Sequence, residues 1–116
     1  QSPRPLATRS GGFFVRITMM DVYITLNGDS FVWNAAKAQK NLHKHGVRFE
    51  EAATVFCDPS FILVQASRNE EAREAAIGFD AAGRLLYVVH IEYEDQYVRI
   101  ISARRADTRE EQIYAI

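Results

Sequence analysis

Apolar residues recur along the chain with two different spacings, and the changes from one to the other outline the fold. Val22, Ile24 and Leu26 alternate with polar neighbours, which is the period of a strand with one buried face. Asn27-Gly28 comes next, ahead of Phe31-Val32-Trp33. An Asn-Gly pair supplies the two positive φ angles of a type I′ turn, so a hairpin is predicted here. The spacing then becomes helical. Asn34 can cap a helix over 35–45, and Gly46 stands where a left-handed residue would end it. Ala35, Ala38 and Leu42 form one stripe of that helix, while Lys37, Asn41 and Lys44 form a second, polar and basic one. Phe49, Ala52, Ala53 and Phe56 repeat the helical spacing over a shorter stretch. Asp58-Pro59 must stop it, because the residue before a proline is driven out of the helical region.

Phe61-Ile62-Leu63-Val64 reads as a short strand. Residues 68–77, rich in Glu and Ala, favour helix on propensity alone. Ile77-Gly78-Phe79, however, leads straight into an Asp80-Ala81-Ala82-Gly83 turn, which makes the second half a strand. Residues 85–93 and 97–102 form an antiparallel pair around the turn at 94–96. Asp107 and Glu110 have the spacing of a capping box, opening a C-terminal helix expected to bury Ile113 and Ile116. The expected class is α+β, with two N-terminal helices packed on an antiparallel sheet of about four to five strands, plus a short C-terminal helix. Residues 1–19 lack periodicity and read as a flexible N-terminal extension, and residues 20–116 as a single domain.

Composition narrows the function. The 116 residues, 47% hydrophobic and 25% charged, suit one globular core. No apolar run approaches the roughly 20 residues of a membrane helix, and none resembles a secretory leader, so a soluble, cytoplasmic chain without membrane association is expected. Cys57 has no second cysteine to pair with. His43, His45 and His90 lack zinc-ligand spacing, so neither a metal nor another cofactor is expected. A net charge of −1 argues against nonspecific coating of nucleic acid. Two basic patches survive inside that balance: Lys37, Lys40, Lys44 and Arg48 with no acid among them, and Arg99, Arg104, Arg105 and Arg109 against Asp107 alone.

The string from Phe31 to Val47, FVWNAAKAQKNLHKHGV, resembles the opening motif of the BrnT family of bacterial type II toxin-antitoxin toxins. Phe49-Glu50-Glu51-Ala52, Val55-Phe56, Asp58-Pro59, Arg73, Ala76-Ile77-Gly78, the stretch 99–106 and Arg109-Glu110 continue the resemblance in order, over about residues 31–114. The resemblance implies a RelE-like fold, ribonuclease activity without metal, and pairing with a ribbon-helix-helix, BrnA-like antitoxin, with operator DNA reached only through that antitoxin. The acid-rich 70–74 segment, the near-neutral charge and the N-terminal extension depart from the family pattern.

Metal-free RNA cleavage needs a group to take the 2′-hydroxyl proton, a proton source for the departing 5′ oxygen, and cations over the phosphorane charge. Arginine suits the last role, since its planar fork stays charged and engages two oxygens together. Arg73, Arg99 and Arg104 are the candidates, expected to converge with the basic edge of the first helix into one phosphate-sized pocket. Alternation puts Arg99 with Ile101 and Ala103, and Arg104 with Val98, Ile100 and Ser102, so a bulge or the strand end must reconcile the two arginines. Structural ion pairs with Glu92, Glu94 or Glu110 are the plainer alternative. His45 is the candidate acid or base, since imidazole titrates near neutrality; answering the helix dipole is its other reading. Lys37, Lys44, Asn41 and Trp33 are candidate RNA contacts, although Trp33 also suits a hydrophobic staple near Ala38. His90 reads as a packed sheet residue, and Tyr114 as an anchor for the last helix. A nonenzymatic module that only binds a partner or nucleic acid would use the same patches.

Overall fold

The computed structural model describes residues 6–7, 13–18, 20–67, 72–94 and 96–116. The predicted hairpin is present as β3 (Asp21–Leu26) and β4 (Asp29–Asn34), joined through Asn27 at φ 52° and Gly28 at φ 85°. The next element is α1 (Ala35–His45). Asn34 Oδ1 accepts the Lys37 N–H at 3.0 Å to open it, and Gly46, at φ 70°, donates its N–H to the Leu42 carbonyl to close it. These groups satisfy backbone donors and acceptors that a helix end leaves orphaned. α2 (Phe49–Ala53) continues into a 3₁₀ turn, Thr54–Cys57, which ends ahead of Pro59 as expected. β5 (Ile62–Gln65), β6 (Glu74–Phe79), β7 (Leu85–Tyr93) and β8 (Tyr97–Arg105) lead to α3 (Thr108–Ala115). The capping box of α3 forms in both directions: Asp107 Oδ1 accepts the Glu110 N–H at 2.8 Å, and Glu110 Oε1 accepts the Asp107 N–H at 2.9 Å.

Two further strands, β1 (Leu6–Ala7) and β2 (Phe13–Thr18), precede the hairpin. The flexible extension expected over 1–19 falls partly on residues outside those described. Of the rest, Phe13–Thr18 pairs antiparallel with β3 and Leu6–Ala7 with β2.

Among the described residues eight strands form one sheet, in the order β1-β2-β3-β4-β8-β7-β6-β5, and six of them (β3–β8) fall within 20–116. The expectation of four to five strands is therefore too low, and an all-antiparallel sheet is also wrong at one joint. β4 and β8 run parallel, with Phe31 opposite Val98 and Val32 opposite Arg99. Both strands of the hairpin thus join the later meander through a contact between distant parts of the chain. No local pattern announces such a contact.

Phe31, Trp33, Val47, Phe49, Val55, Leu86, Val88, Ile100 and Ala103 are buried in one core between the sheet and α1–α2. Trp33 meets Phe49 edge to face, with ring centroids 5.9 Å apart. Gly78 lies so close under the 3₁₀ turn that a Cβ there would stand 2.9 Å from Phe61 Cβ and 3.0 Å from Val55 Cγ1. Ile116 is exposed, contrary to expectation, because α3 ends one residue before it; Ile113 is half-buried, and Glu110 is the buried residue of that helix.

Candidate functional site

A bulge in β8 sets the geometry of the candidate arginines. Val89 pairs with Ser102 but His90 pairs with Ile100, so Ile101 is an extra residue on β8. Beyond the bulge the alternation is inverted. Arg99 lies opposite Ile91, and Arg104 opposite Tyr87. Ile91 and Tyr87 share one face of β7, alternating with buried Leu86, Val88 and His90. Cross-strand partners share a face, so Arg99 and Arg104 both lie on the face turned away from the core.

They do not form one pocket there. The Arg104 guanidinium is held by Glu110, Nη1 donating to Oε1 and Nη2 to Oε2, each at 2.8 Å. Nη1 also donates to the Arg105 carbonyl at 3.1 Å, and the guanidinium carbon lies 4.3 Å from the centre of the Tyr87 ring. Arg99, five positions earlier, donates through Nη2 to Asp21 Oδ2 at 3.0 Å. The carboxylate pairing foreseen as the plainer alternative occurs for both arginines, with Glu110 as expected for Arg104 and with Asp21, not considered beforehand, for Arg99. In each case the carboxylate raises the arginine pKa, chiefly through the hydrogen bond.

Arg73 ends the segment ahead of β6, where its carbonyl accepts the Ala66 N–H at 3.0 Å. Glu74 pairs with His90 and Ile91 with Arg99. Continuing the first register by one residue sets Arg73 in the same row as Arg99, two strand spacings or roughly 10 Å away.

The convergence that does occur is between α1 and β8. β4 leaves the side of β8 after Arg99, and the bare edge beyond it is taken by Asn41. The Asn41 Oδ1 accepts the Ala103 N–H at 3.0 Å, and its Nδ2 donates to the Ala103 carbonyl at 2.8 Å and to the Val47 carbonyl at 3.0 Å. His45 follows Asn41 by one helical turn and Arg104 follows Ala103 directly, so this clasp sets the C-terminal end of α1 beside the strand end that bears Arg104. Partial burial, then the charges of Lys44 and Arg104, hold the His45 imidazole below its ordinary value of 6.5.

Asn41 and Trp33, candidate RNA contacts from the sequence, are correspondingly displaced from that role. Asn41 is buried with its amide fully engaged, and Trp33 is 1% exposed. Asn41 shares the sheet-facing side of α1 instead of the basic stripe, because a side-chain amide can continue a strand edge where a lysine cannot. Lys37 and Lys44 remain exposed, and among the described residues neither has an ion-pair partner. His90 is packed in the sheet as foreseen, 2% exposed, with Nδ1 3.1 Å from the Val88 carbonyl and its ring edge to face with Phe56. Tyr114 anchors α3 by donating to Asp58 Oδ2 at 2.8 Å.

Sequence reasoning missed Tyr87 and Asp21 as partners of the arginines. Both depend on strand register, which sequence alone does not fix. Among the described residues no group of three or more His, Cys, Asp or Glu side chains could hold a metal ion, and no helix is long and apolar enough to cross a membrane.

Comparison with known proteins gives this geometry a context. The fold is similar to the 1.1 Å crystal structure of the Brucella abortus ribonuclease toxin BrnT, with a TM-score of 0.52 and 23% sequence identity, covering 66% of this chain and 94% of that one. No curated protein matches the sequence. A family model described as "Ribonuclease toxin, BrnT, of type II toxin-antitoxin system" matches residues 33–110, a span that holds His45, Arg73, Arg99 and Arg104. That match takes in more than half of the chain, which therefore belongs to the BrnT family of ribonuclease toxins.

Proposed function

We propose that this chain is the toxin of a type II pair, a cytoplasmic, metal-independent endoribonuclease that arrests translation and growth. The observation that carries the reading is the Asn41 clasp, which sets the helix end bearing His45 beside the strand end bearing Arg104, whose charge His45 feels. A lowered pKa keeps the His45 imidazole neutral at physiological pH, the state a general base requires. The imidazole takes the proton of a ribose 2′-hydroxyl. The 2′ oxygen attacks the adjacent phosphorus, the bond to the 5′ oxygen breaks, and that oxygen takes a proton from water. A 2′,3′-cyclic phosphate and a 5′-hydroxyl remain. Arg104 stabilises the charge that builds on the phosphorane oxygens, a service worth about 3 kcal/mol of barrier for one preorganised donor. Arg99 and Arg73, further along the same face, contact flanking phosphates, and Lys37 and Lys44 draw the RNA backbone toward the site.

The type II family implies an antitoxin partner. We take it to be a ribbon-helix-helix, BrnA-like protein, with operator DNA reached only through it. The pairing of Arg99 and Arg104 with carboxylates favours a second reading, in which the patches only bind. Purified protein incubated with RNA in EDTA separates the two. The enzymatic reading expects cleavage, with a loss of at least tenfold in folded Arg104→Ala; undiminished cleavage in that variant removes the assigned site, and no cleavage by wild type favours the binding module. Growth arrest on induced expression, relieved by the neighbouring open reading frame, is the expected cellular counterpart.

A further inference from the structure

Glu110 sits where two structural tasks meet. One carboxylate oxygen, Oε1, closes the α3 capping box on the Asp107 N–H while also accepting Arg104 Nη1; the other, Oε2, accepts Arg104 Nη2. The residue is 8% exposed, so neither contact is a loose surface pairing. A helix cap needs only one acceptor, and Ser, Thr or Asp at the cap already serves the reciprocal bond. A buried carboxylate that also grips a guanidinium at two points adds orientation to the cap.

The grip leaves Arg104 partly available. Glu110 occupies the end of the guanidinium, across Nη1 and Nη2, and Tyr87 covers one flat face. Among the described residues Nε takes part in no hydrogen bond. The side fork formed by Nε and the second Nη2 hydrogen can thus receive two oxygens of one phosphate. An unheld arginine would spread its fork over many rotamers, and the barrier lowering expected of a fixed donor depends on its already being in place.

We propose that Glu110 is a positioning residue for RNA cleavage, fixing the Arg104 guanidinium over Tyr87 so that its side fork faces the scissile phosphate. The proposal rests on the reading of Arg104 given above. It ties the C-terminal helix to the reaction, since the carboxylate that starts α3 also aims the arginine.

Glu110→Gln separates the two tasks. The amide oxygen can still cap the Asp107 N–H, whereas the amide nitrogen cannot accept from Nη2. The expected result is a folded protein whose kcat falls at least tenfold, with KM within about twofold of wild type. Because Glu110 acts through Arg104, adding Glu110→Gln to Arg104→Ala should cost nothing further. Glu110→Asp keeps the charge and recovers part of the rate, remaining about threefold below wild type. Wild-type kcat in folded Glu110→Gln overturns the proposal, as does a full additional loss in the double variant. Should Glu110→Gln fail to fold, Glu110→Asp decides, and an undiminished kcat there overturns it. If wild type cleaves no RNA, the functional reading fails first. The positioning claim is then judged by the ¹⁵N NMR signal of Arg104 Nε–H, which should be sharp and ordered in wild type and motionally averaged in Glu110→Gln. An equally ordered signal in both sinks the claim.

Discussion

The side chain of Asn41 in α1 acts as a missing strand for Ala103 in β8, accepting the Ala103 N–H at 3.0 Å and donating to its carbonyl at 2.8 Å. The clasp lies where β4 has left β8 to become α1, so it covers an edge that would otherwise hold unpaired backbone in a buried place. It also sets the register between helix and strand. His45 lies one helical turn beyond Asn41 and Arg104 directly follows Ala103, so the clasp fixes how the end of α1 lies along β8.

Asn41→Ala therefore strands the Ala103 N–H and carbonyl and removes a donor from the Val47 carbonyl. Unsatisfied buried groups cost about 1–3 kcal/mol each, and partial access of water offsets some of the total. A loss of about 3 kcal/mol in urea denaturation is expected. RNA affinity of the folded fraction, measured at low temperature, should stay within about twofold, since Asn41 faces the sheet. A surface contact would give the reverse pattern, unchanged stability and weakened binding.

After burial and the charge of Lys44, Arg104 also helps set the pH at which His45 works. Because its positive charge helps keep His45 below 6.5, removing it moves the imidazole back toward the ordinary value. A general base must be neutral, so kcat/KM should rise with pH through the His45 pKa and level off above it. In Arg104→Lys, which keeps the charge, that limb stays in place while the plateau falls. In Arg104→Ala the limb moves to higher pH as the plateau falls. His45→Gln should abolish the limb. A limb that survives in His45→Gln would assign the base to another residue.

Much of this arrangement was legible in the chain, and its failures share one cause. Asn34, Gly46, Asn27-Gly28 and the Asp107–Glu110 pair each act on backbone within a few residues, and each does what its spacing predicts. Arg99 and Arg104 were separated by strict alternation, with a bulge foreseen as one way to reunite them; the extra residue Ile101 is that bulge. Where it falls depends on pairing with β7, a long-range matter. Asn41 was misread because helical spacing groups it with Lys37 and Lys44, while the bare edge of β8 that claims it lies 62 positions away. Its position between two lysines on a wheel carries no trace of that demand.

His90 makes the fold sensitive to mild acid. Burial lowers its pKa, against the raising effects of the Val88 carbonyl and the charges of Glu74 and Glu92, and the net result lies below 6.5. His45 is lowered as well. In both cases the unfolded chain binds a proton at a pH where the folded chain does not. Stability is therefore complete above the unfolded value of about 6.5 and falls as pH drops below it, by at most about 1.4 kcal/mol per pH unit for each group. Thermal melts between pH 7 and 5 should show this decline, smaller in His90→Phe and smaller still when His45→Gln is added. A flat profile over that range would mean that His90 can be protonated in place, through Nε2 and the Glu74 carboxylate 3.9 Å away.

Asp21 offers a test of the arginine face that leaves the reacting groups alone. It accepts Arg99 Nη2 at 3.0 Å, and both side chains keep more than a quarter of their surface in solvent, 27% for Arg99 and 29% for Asp21. Water screens the pair, so its contribution to stability lies within about 1 kcal/mol. Asp21→Asn keeps an oxygen that can accept the hydrogen bond but removes the neutralising charge. If Arg99 contacts a flanking phosphate, RNA should bind several-fold tighter to this variant at low salt. The gain should shrink as salt rises, because it is electrostatic in origin. Binding is best followed with an oligonucleotide carrying 2′-deoxyribose at each step, which cannot be cleaved by 2′-hydroxyl attack. Equal affinity for both proteins at every salt concentration would remove Arg99 from the RNA path and leave its pairing with Asp21 as a brace between β3 and β8.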